Sequence, residues 1–155
     1  MNCENKEKLI RYLRSEDVDF ELYEFEKSTL SAEDSSERLD IDPMRIVKSL
    51  IFKDKEDRPL LAIVSGEERV DEEKLSELCE GKVEMAKARE VEDFTGYKIG
   101  EVPPVGLGLD TIVDEKILSY ETVVAGGGST HTLIELDPGE IVRLTGARVK
   151  KIGKV

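Results

Sequence analysis

Two apolar stretches of strand character, residues 46–53 and 59–65, are separated by little more than the charged segment Lys53-Asp54-Lys55-Glu56-Asp57-Arg58. So short and polar a link predicts a β-hairpin with an exposed turn, against which the rest of the chain must assemble. Other strands follow from pattern. Residues 18–25 alternate apolar and polar with period two, as a half-buried strand does. Shorter strands are expected near 83–86, 109–114, 121–125, 132–136 and 147–152.

Helices are expected between them. Leu9, Ile10 and Leu13 stand at helical spacing within residues 4–14. Ser31-Ala32-Glu33-Asp34 reads as a capping box opening a helix that stops before Pro43. Asp71 caps a helix running to Glu80 and closed by Gly81, a short one covers residues 90–94, and Pro138 stands early in a last one reaching Leu144. Strands outnumber helices, and there is no regular βαβ alternation. The expectation is one α+β domain over residues 1–155, with a mixed, mostly antiparallel sheet curled into a barrel-like form and surrounded by helices.

The net charge of −12, from 23 basic and 35 acidic residues, argues against a protein that grips duplex DNA through bulk charge. Residues 141–155 depart from that balance, with five basic side chains (Arg143, Arg148, Lys150, Lys151 and Lys154) and no acidic one. Such a segment is either a local surface for an RNA end or a solvated strand and tail. No apolar run approaches the ~20 residues of a membrane helix, and the N-terminus lacks the apolar region of a signal peptide, so a cytoplasmic, membrane-free protein is expected. Cys3 and Cys79 form no CxxC pair and His131 is the one histidine, so neither a zinc site nor a cofactor is expected.

Three segments carry candidate chemistry. Lys48 lies in a strand and shares its face with Ile46, Leu50 and Phe52. A cation there is costly unless it meets an anion or snorkels to water. The loop Gly100-Glu101-Val102-Pro103-Pro104-Val105-Gly106-Leu107-Gly108 combines stiff prolines with unobstructed glycines and can present backbone groups to a ligand, or merely turn the chain. In Ala125-Gly126-Gly127-Gly128-Ser129-Thr130-His131-Thr132, three glycines exceed the needs of a hairpin and imply close backbone approach. Ser129 adds a hydroxyl there, and His131 the one side chain that titrates near neutrality by its unperturbed value. Asp110 and Asp114 read as strand-edge and turn residues in preference to metal ligands.

Together these segments resemble the YbaK family, the editing domain associated with prolyl-tRNA synthetase. The resemblance runs from about Leu30 to Val149 through five ordered stretches. They are Ile46-Val47-Lys48-Ser49-Leu50-Ile51-Phe52, the segment from Val64-Ser65-Gly66 to Val70-Asp71-Glu72-Glu73-Lys74-Leu75, Phe94 to Gly106 with its GxxxP loop, Ala125 to Gly128, and Asp137 to Ala147. The resemblance implies a mixed-sheet domain that clears misacylated tRNA, most often tRNA for proline carrying cysteine, alanine or a similar small residue. It implies that Lys48 is the essential lysine. The acyl pocket would be shaped by Gly100, Glu101, Val102, Pro103, Pro104 and Gly106. Gly126, Gly127 and Gly128 match the family's second glycine-rich segment, and His131 falls in the region where some branches use a histidine.

The expected function is therefore trans-editing deacylation of mischarged aminoacyl-tRNA, with the tRNA 3′ acceptor end and prolyl-tRNA synthetase as partners. An aminoacyl ester is already activated, so water positioning and charge stabilisation suffice without a metal. The competing expectations are a non-catalytic module that binds a nucleotide or aminoacyl-tRNA beside a synthetase, and an interaction domain with a decayed site.

Overall fold

The computed structural model describes residues 3–25 and 32–154. Ser31 of the expected capping box lies outside them. The hairpin forms as expected. Strand β2 (Val47–Asp54) pairs antiparallel with β3 (Pro59–Ser65), Lys48 opposite Val64 and Phe52 opposite Leu60. Its turn is held by Asp54, whose carboxylate accepts from the backbone N–H groups of Glu56 and Arg58 and from the Arg58 guanidinium.

Around the hairpin, β5 (Val83–Met85) adds antiparallel to β2, β6 (Asp110–Asp114) adds parallel to β3, and β9 (Arg148–Lys150) adds parallel to β6. The resulting order is β5-β2-β3-β6-β9. A second sheet has the order β1-β8-β7, all antiparallel, from β1 (Phe20–Glu24), β8 (Thr132–Leu136) and β7 (Val123–Gly126). A two-stranded ribbon joins β4 (Arg69–Val70) to β10 (Gly153–Lys154). The expected single final strand is thus two short ones, because Ile152 turns inward between them and is fully buried.

The mixed, mostly antiparallel α+β arrangement stands, but the barrel-like expectation does not. Among the described residues no sheet closes, because β5 and β9 stand at opposite edges of the five-stranded sheet. Among the described residues, the two larger sheets are joined by one isolated parallel bridge, between Ile46 and Val124.

The strands sort the core by alternation. Along β2 and β3, Val47, Ile51, Leu61 and Ile63 face the main core, which they share with Leu9 and Leu13 of α1 (Cys3–Ser15) and Ile141 of α5 (Pro138–Thr145). Phe52, Leu60, Ala62 and Val64 face a second cluster with Leu75 of α3 (Glu72–Leu78) and Ile152. Strand β3 is covered on both faces, which is why it reads as an unbroken apolar run. Two further helices among the described residues are α2 (Ala32–Leu39) and α4 (Ala88–Thr95).

Asp71 caps α3 as expected, accepting from the Lys74 N–H at 3.2 Å. The end of that helix differs. The left-handed residue is Glu80, with φ 57°, and Gly81 follows it, its N–H donating to Ser76 O at 3.1 Å. Gly81 therefore closes the turn through its amide. The last helix is capped by the Asp137 carboxylate on Gly139 N–H at 2.8 Å, with Pro138 in its first turn.

Candidate active site

Lys48 occupies the face its strand periodicity assigns. Its neighbour Ile46 packs with Val124 and Leu133, while Phe52 and the half-buried Leu50 belong to the second cluster. Lys48 lies between these two apolar patches and is itself half-buried. No hydrogen bond or ion pair ties it to another described residue. Burial pushes its ammonium below the ordinary lysine value, and the Glu68 carboxylate acts in the opposite sense. A desolvated, unpaired cation is poised to take an anion from outside the chain.

The start of β2 is anchored by a polar cluster. Arg45 lies in a single 3₁₀ turn, residues 43–45, whose cap is Asp42. Its guanidinium donates to Thr122 Oγ1 at 2.6 Å and to Glu135 Oε2 at 2.9 Å, while its Nε donates to Thr122 O. Tyr23 OH and Thr122 Oγ1 also donate to Glu135. These bonds hold the Glu135 carboxyl below its usual range, the Thr122 hydrogen bond contributing most, and the bond to Glu135 pushes Tyr23 up to about 12. The cluster fastens the residues preceding Lys48 to β8, through Glu135 to Tyr23 of β1, and to Thr122 just before β7.

The GxxxP loop is a packed wall more than an open cradle. Glu101, Val102, Pro103, Pro104 and Val105 are all buried, Val102 and Val105 within the main core. Gly100 and Gly106 at its two ends are exposed. Gly106, at φ +82°, lies against the Tyr12 ring, which fixes the far end of the loop to α1.

The three glycines at the end of β7 and just beyond it serve three different contacts. A Cβ on Gly126 would stand 3.0 Å from Val102 O, so this residue brings β7 against the GxxxP loop. Gly127 passes over Thr132, where a Cβ would meet backbone at 2.9 Å, and at Gly128, with φ +91°, a Cβ would stand 3.1 Å from Asn5 O of α1. β2 and β7 pack side by side and run parallel at the Ile46–Val124 bridge. Two residues onward along each strand come Lys48 and Gly126, on the same faces as Ile46 and Val124.

Ser129 and His131 go elsewhere. The Ser129 hydroxyl is buried, shares a 2.7 Å hydrogen bond with Thr132 Oγ1 and accepts from the His131 N–H. The half-buried His131 ring meets Thr130 Oγ1 through Nδ1 at 3.0 Å, and its carbonyl accepts from Phe25 N–H. These bonds fold the β7–β8 connection onto itself and onto the end of β1, and none of them reaches Lys48.

Asp114 proves structural: it is buried, and its Oδ1 accepts from the N–H groups of Ile152 at 2.8 Å and Gly153 at 3.0 Å. Asp110 is exposed at the start of β6. Among the described residues, no three His, Cys, Asp or Glu side chains gather as a metal ion would require, and no helix is long and apolar enough to cross a membrane. In the basic C-terminal segment, Arg143 is engaged by Glu140 and Arg148 approaches Asp110, while Lys150, Lys151 and Lys154 are exposed.

Two buried polar atoms were not legible in the sequence. Ser49 Oγ, next to Lys48, and Glu68 Oε1 are both buried without a hydrogen-bond partner. Nothing distinguishes Ser49 from other serines in strands, or Glu68 from the flanking Glu67 and Arg69, which are exposed.

Comparison with known proteins places this geometry in a family. The profile of a family described as an aminoacyl-tRNA editing domain matches residues 26–144. The protein named "Putative Cys-tRNA(Pro)/Cys-tRNA(Cys) deacylase EbsC" of Enterococcus faecalis is 30% identical over 154 residues, which cover 96% of this chain and 94% of that one. A proline–tRNA ligase of Caldicellulosiruptor bescii is 36% identical over 93 residues, 59% of this chain but only 16% of the ligase. A solved structure described as "a putative trans-editing enzyme for prolyl tRNA synthetase" superposes with a TM-score of 0.87 at 32% identity, covering 97% of this chain and 98% of that one. The chain belongs to the aminoacyl-tRNA editing domain family.

Proposed function

We propose that this protein hydrolyses the ester of mischarged aminoacyl-tRNA, with tRNA for proline carrying cysteine or alanine as its substrate. The observation that carries this reading is Lys48: a half-buried cation whose side chain has no hydrogen-bond or ion-pair partner among the described residues. A tRNA 3′ end brings what such a cation lacks, a phosphate next to an ester whose carbonyl becomes an oxyanion when water adds. Lys48 binds the phosphate of the terminal adenosine or stabilises that oxyanion. Collapse of the adduct breaks the acyl carbon–oxygen bond, freeing the amino acid and restoring the ribose hydroxyl. The close-packed 101–105 wall leaves room for a small acyl side chain and excludes larger ones, as size-based editing demands. No metal or cofactor takes part. The exposed lysines of the C-terminal segment meet the acceptor stem, and the net negative charge confines contact to that end.

The relation to segments of proline–tRNA ligases supports prolyl-tRNA synthetase as the partner that supplies most of the tRNA affinity. The second reading, a module that binds aminoacyl-tRNA without cleaving it, uses the same residues. A deacylation screen separates them. Purified protein is incubated with alanyl-, cysteinyl- and seryl-tRNA for proline, alongside Lys48→Ala. Release of the amino acid by wild type and not by the variant is expected. Tight binding without release, for every substrate, would establish the second reading.

A further inference from the structure

The turn between β3 and β4 hides a carboxylate. Its residues Glu67, Glu68 and Arg69 are all charged, yet Glu68 is only 5% exposed. One of its oxygens, Oε2, meets Lys116 Nζ at 3.0 Å. The other, Oε1, is buried with no hydrogen-bond partner among the described residues. The C-terminal ribbon packs against it at Gly153, where a Cβ would stand 2.8 Å from Oε1 and the carboxylate would have to shift. Burying half of a carboxylate unsatisfied is costly and calls for a compensating charge nearby.

The backbone ties this turn to the strand of Lys48. Glu68 N–H donates to Ser65 O at 3.0 Å, and Gly66 N–H donates to Ile46 O. Ser65 and Val64 are the register partners of Val47 and Lys48. Glu68 is also the one group whose charge is felt at Lys48, raising its proton affinity against the effect of burial. Of the other charges near the turn, Lys116 is committed to Glu68 and Asp114 to the backbone N–H groups of Lys116, Ile152 and Gly153, while Glu67, Arg69 and Lys154 stand exposed to solvent.

We propose that Glu68 is a positioning residue for the editing site: the turn after β3 seals a carboxylate beside the strand that carries Lys48, and its charge offsets the cost of burying that ammonium and keeps it cationic for the substrate. This rests on the reading of Lys48 given above. Glu68 touches no substrate and acts through the lysine.

The test is the titration of Lys48 in the full chain, read from the lysine ¹³Cε shift and assigned by its loss in Lys48→Arg. Glu68→Gln should move the Lys48 titration to lower pH, and Glu68→Asp, which keeps the charge, should restore most of it. Lys116→Met breaks the same ion pair but leaves the carboxylate, so it should leave the Lys48 titration in place or raise it. A structural role for the pair would move both variants alike. The alkaline limb of deacylation should follow the titration, falling roughly tenfold per pH unit beyond the new inflection, as for any group needed in its protonated form. An unmoved Lys48 titration in Glu68→Gln, or a lowered one in Lys116→Met, overturns the proposal. The second arm decides if Glu68→Gln does not fold. If the titration moves and the pH–rate profile does not, the coupling stands and the assignment of Lys48 as the reacting cation falls.

Discussion

Gly126 and Val102 meet so closely that a Cβ on the glycine would stand 3.0 Å from the valine's carbonyl oxygen. Two segments that lie apart in the chain, the GxxxP loop and the glycine run, are thereby joined into one wall beside the strand that bears Lys48. Because the obstructing atom belongs to the backbone, Gly126→Ala must displace the loop. We expect a stability loss of about 1–3 kcal/mol and a rise in KM for mischarged tRNA larger than the fall in kcat. Denaturant unfolding with steady-state deacylation checks both. An unaltered KM in a destabilised variant would remove the loop from the substrate pocket.

Half-burial of the Lys48 ammonium carries a cost to stability. Its folded-state proton affinity lies below the ordinary lysine value because of burial. The unfolded chain therefore binds more protons between the folded value and 10.5, so stability should rise with pH across that window. Lys48→Met should flatten this rise and raise stability near neutrality by about 1 kcal/mol or less, solvent screening included. It should also abolish deacylation. Denaturant melts over a pH series, with activity on the same samples, provide the measurement. A less stable Lys48→Met protein would contradict the burial argument.

Tyr23 donates to Glu135 at 2.6 Å, and its pKa rises from 10.0 to about 12. A raised folded value means that the hydroxyl's contribution is complete below the unfolded value and is lost as pH climbs through the folded one. Tyr23→Phe should cost about 1 kcal/mol at neutrality. The stability gap to wild type should close between pH 10 and about 12. A gap constant with pH would show that the phenol contributes by packing alone.

Deacylation should survive chelation. Lys48 and the GxxxP wall are read here as acting without a metal, and no cluster of metal-ligating side chains forms among the described residues. Activity is expected to be unchanged after EDTA treatment and dialysis. Loss on EDTA with recovery on added zinc would refute a metal-free reaction.

Much of this architecture was legible in the chain itself, because it rests on local rules. Period-two alternation set the faces of β2, and so placed Lys48 between apolar neighbours. A charged hexapeptide between two apolar runs demanded the hairpin, and Asp71 and Pro138 announced the helices that begin at them. The glycine run declared that some backbone passes close by. What it passes was settled by pairings between distant segments: β6 entering parallel to β3, the bridge of Ile46 to Val124, and the loop arriving under Gly126. Closure into a barrel was a reasonable expectation from strand count. It failed because β5 and β9 end on opposite edges, a fact of strand order that no local pattern encodes. Glu68 shows the same divide most sharply. In sequence it is the middle of three charged turn residues. Only the packing of the C-terminal ribbon, with Gly153 against it and Lys116 beside it, makes it a buried charge next to the strand of Lys48. Burial and electrostatic environment belong to the assembled surface, since they depend on which segments exclude water from a group, and those segments lie far from it along the chain.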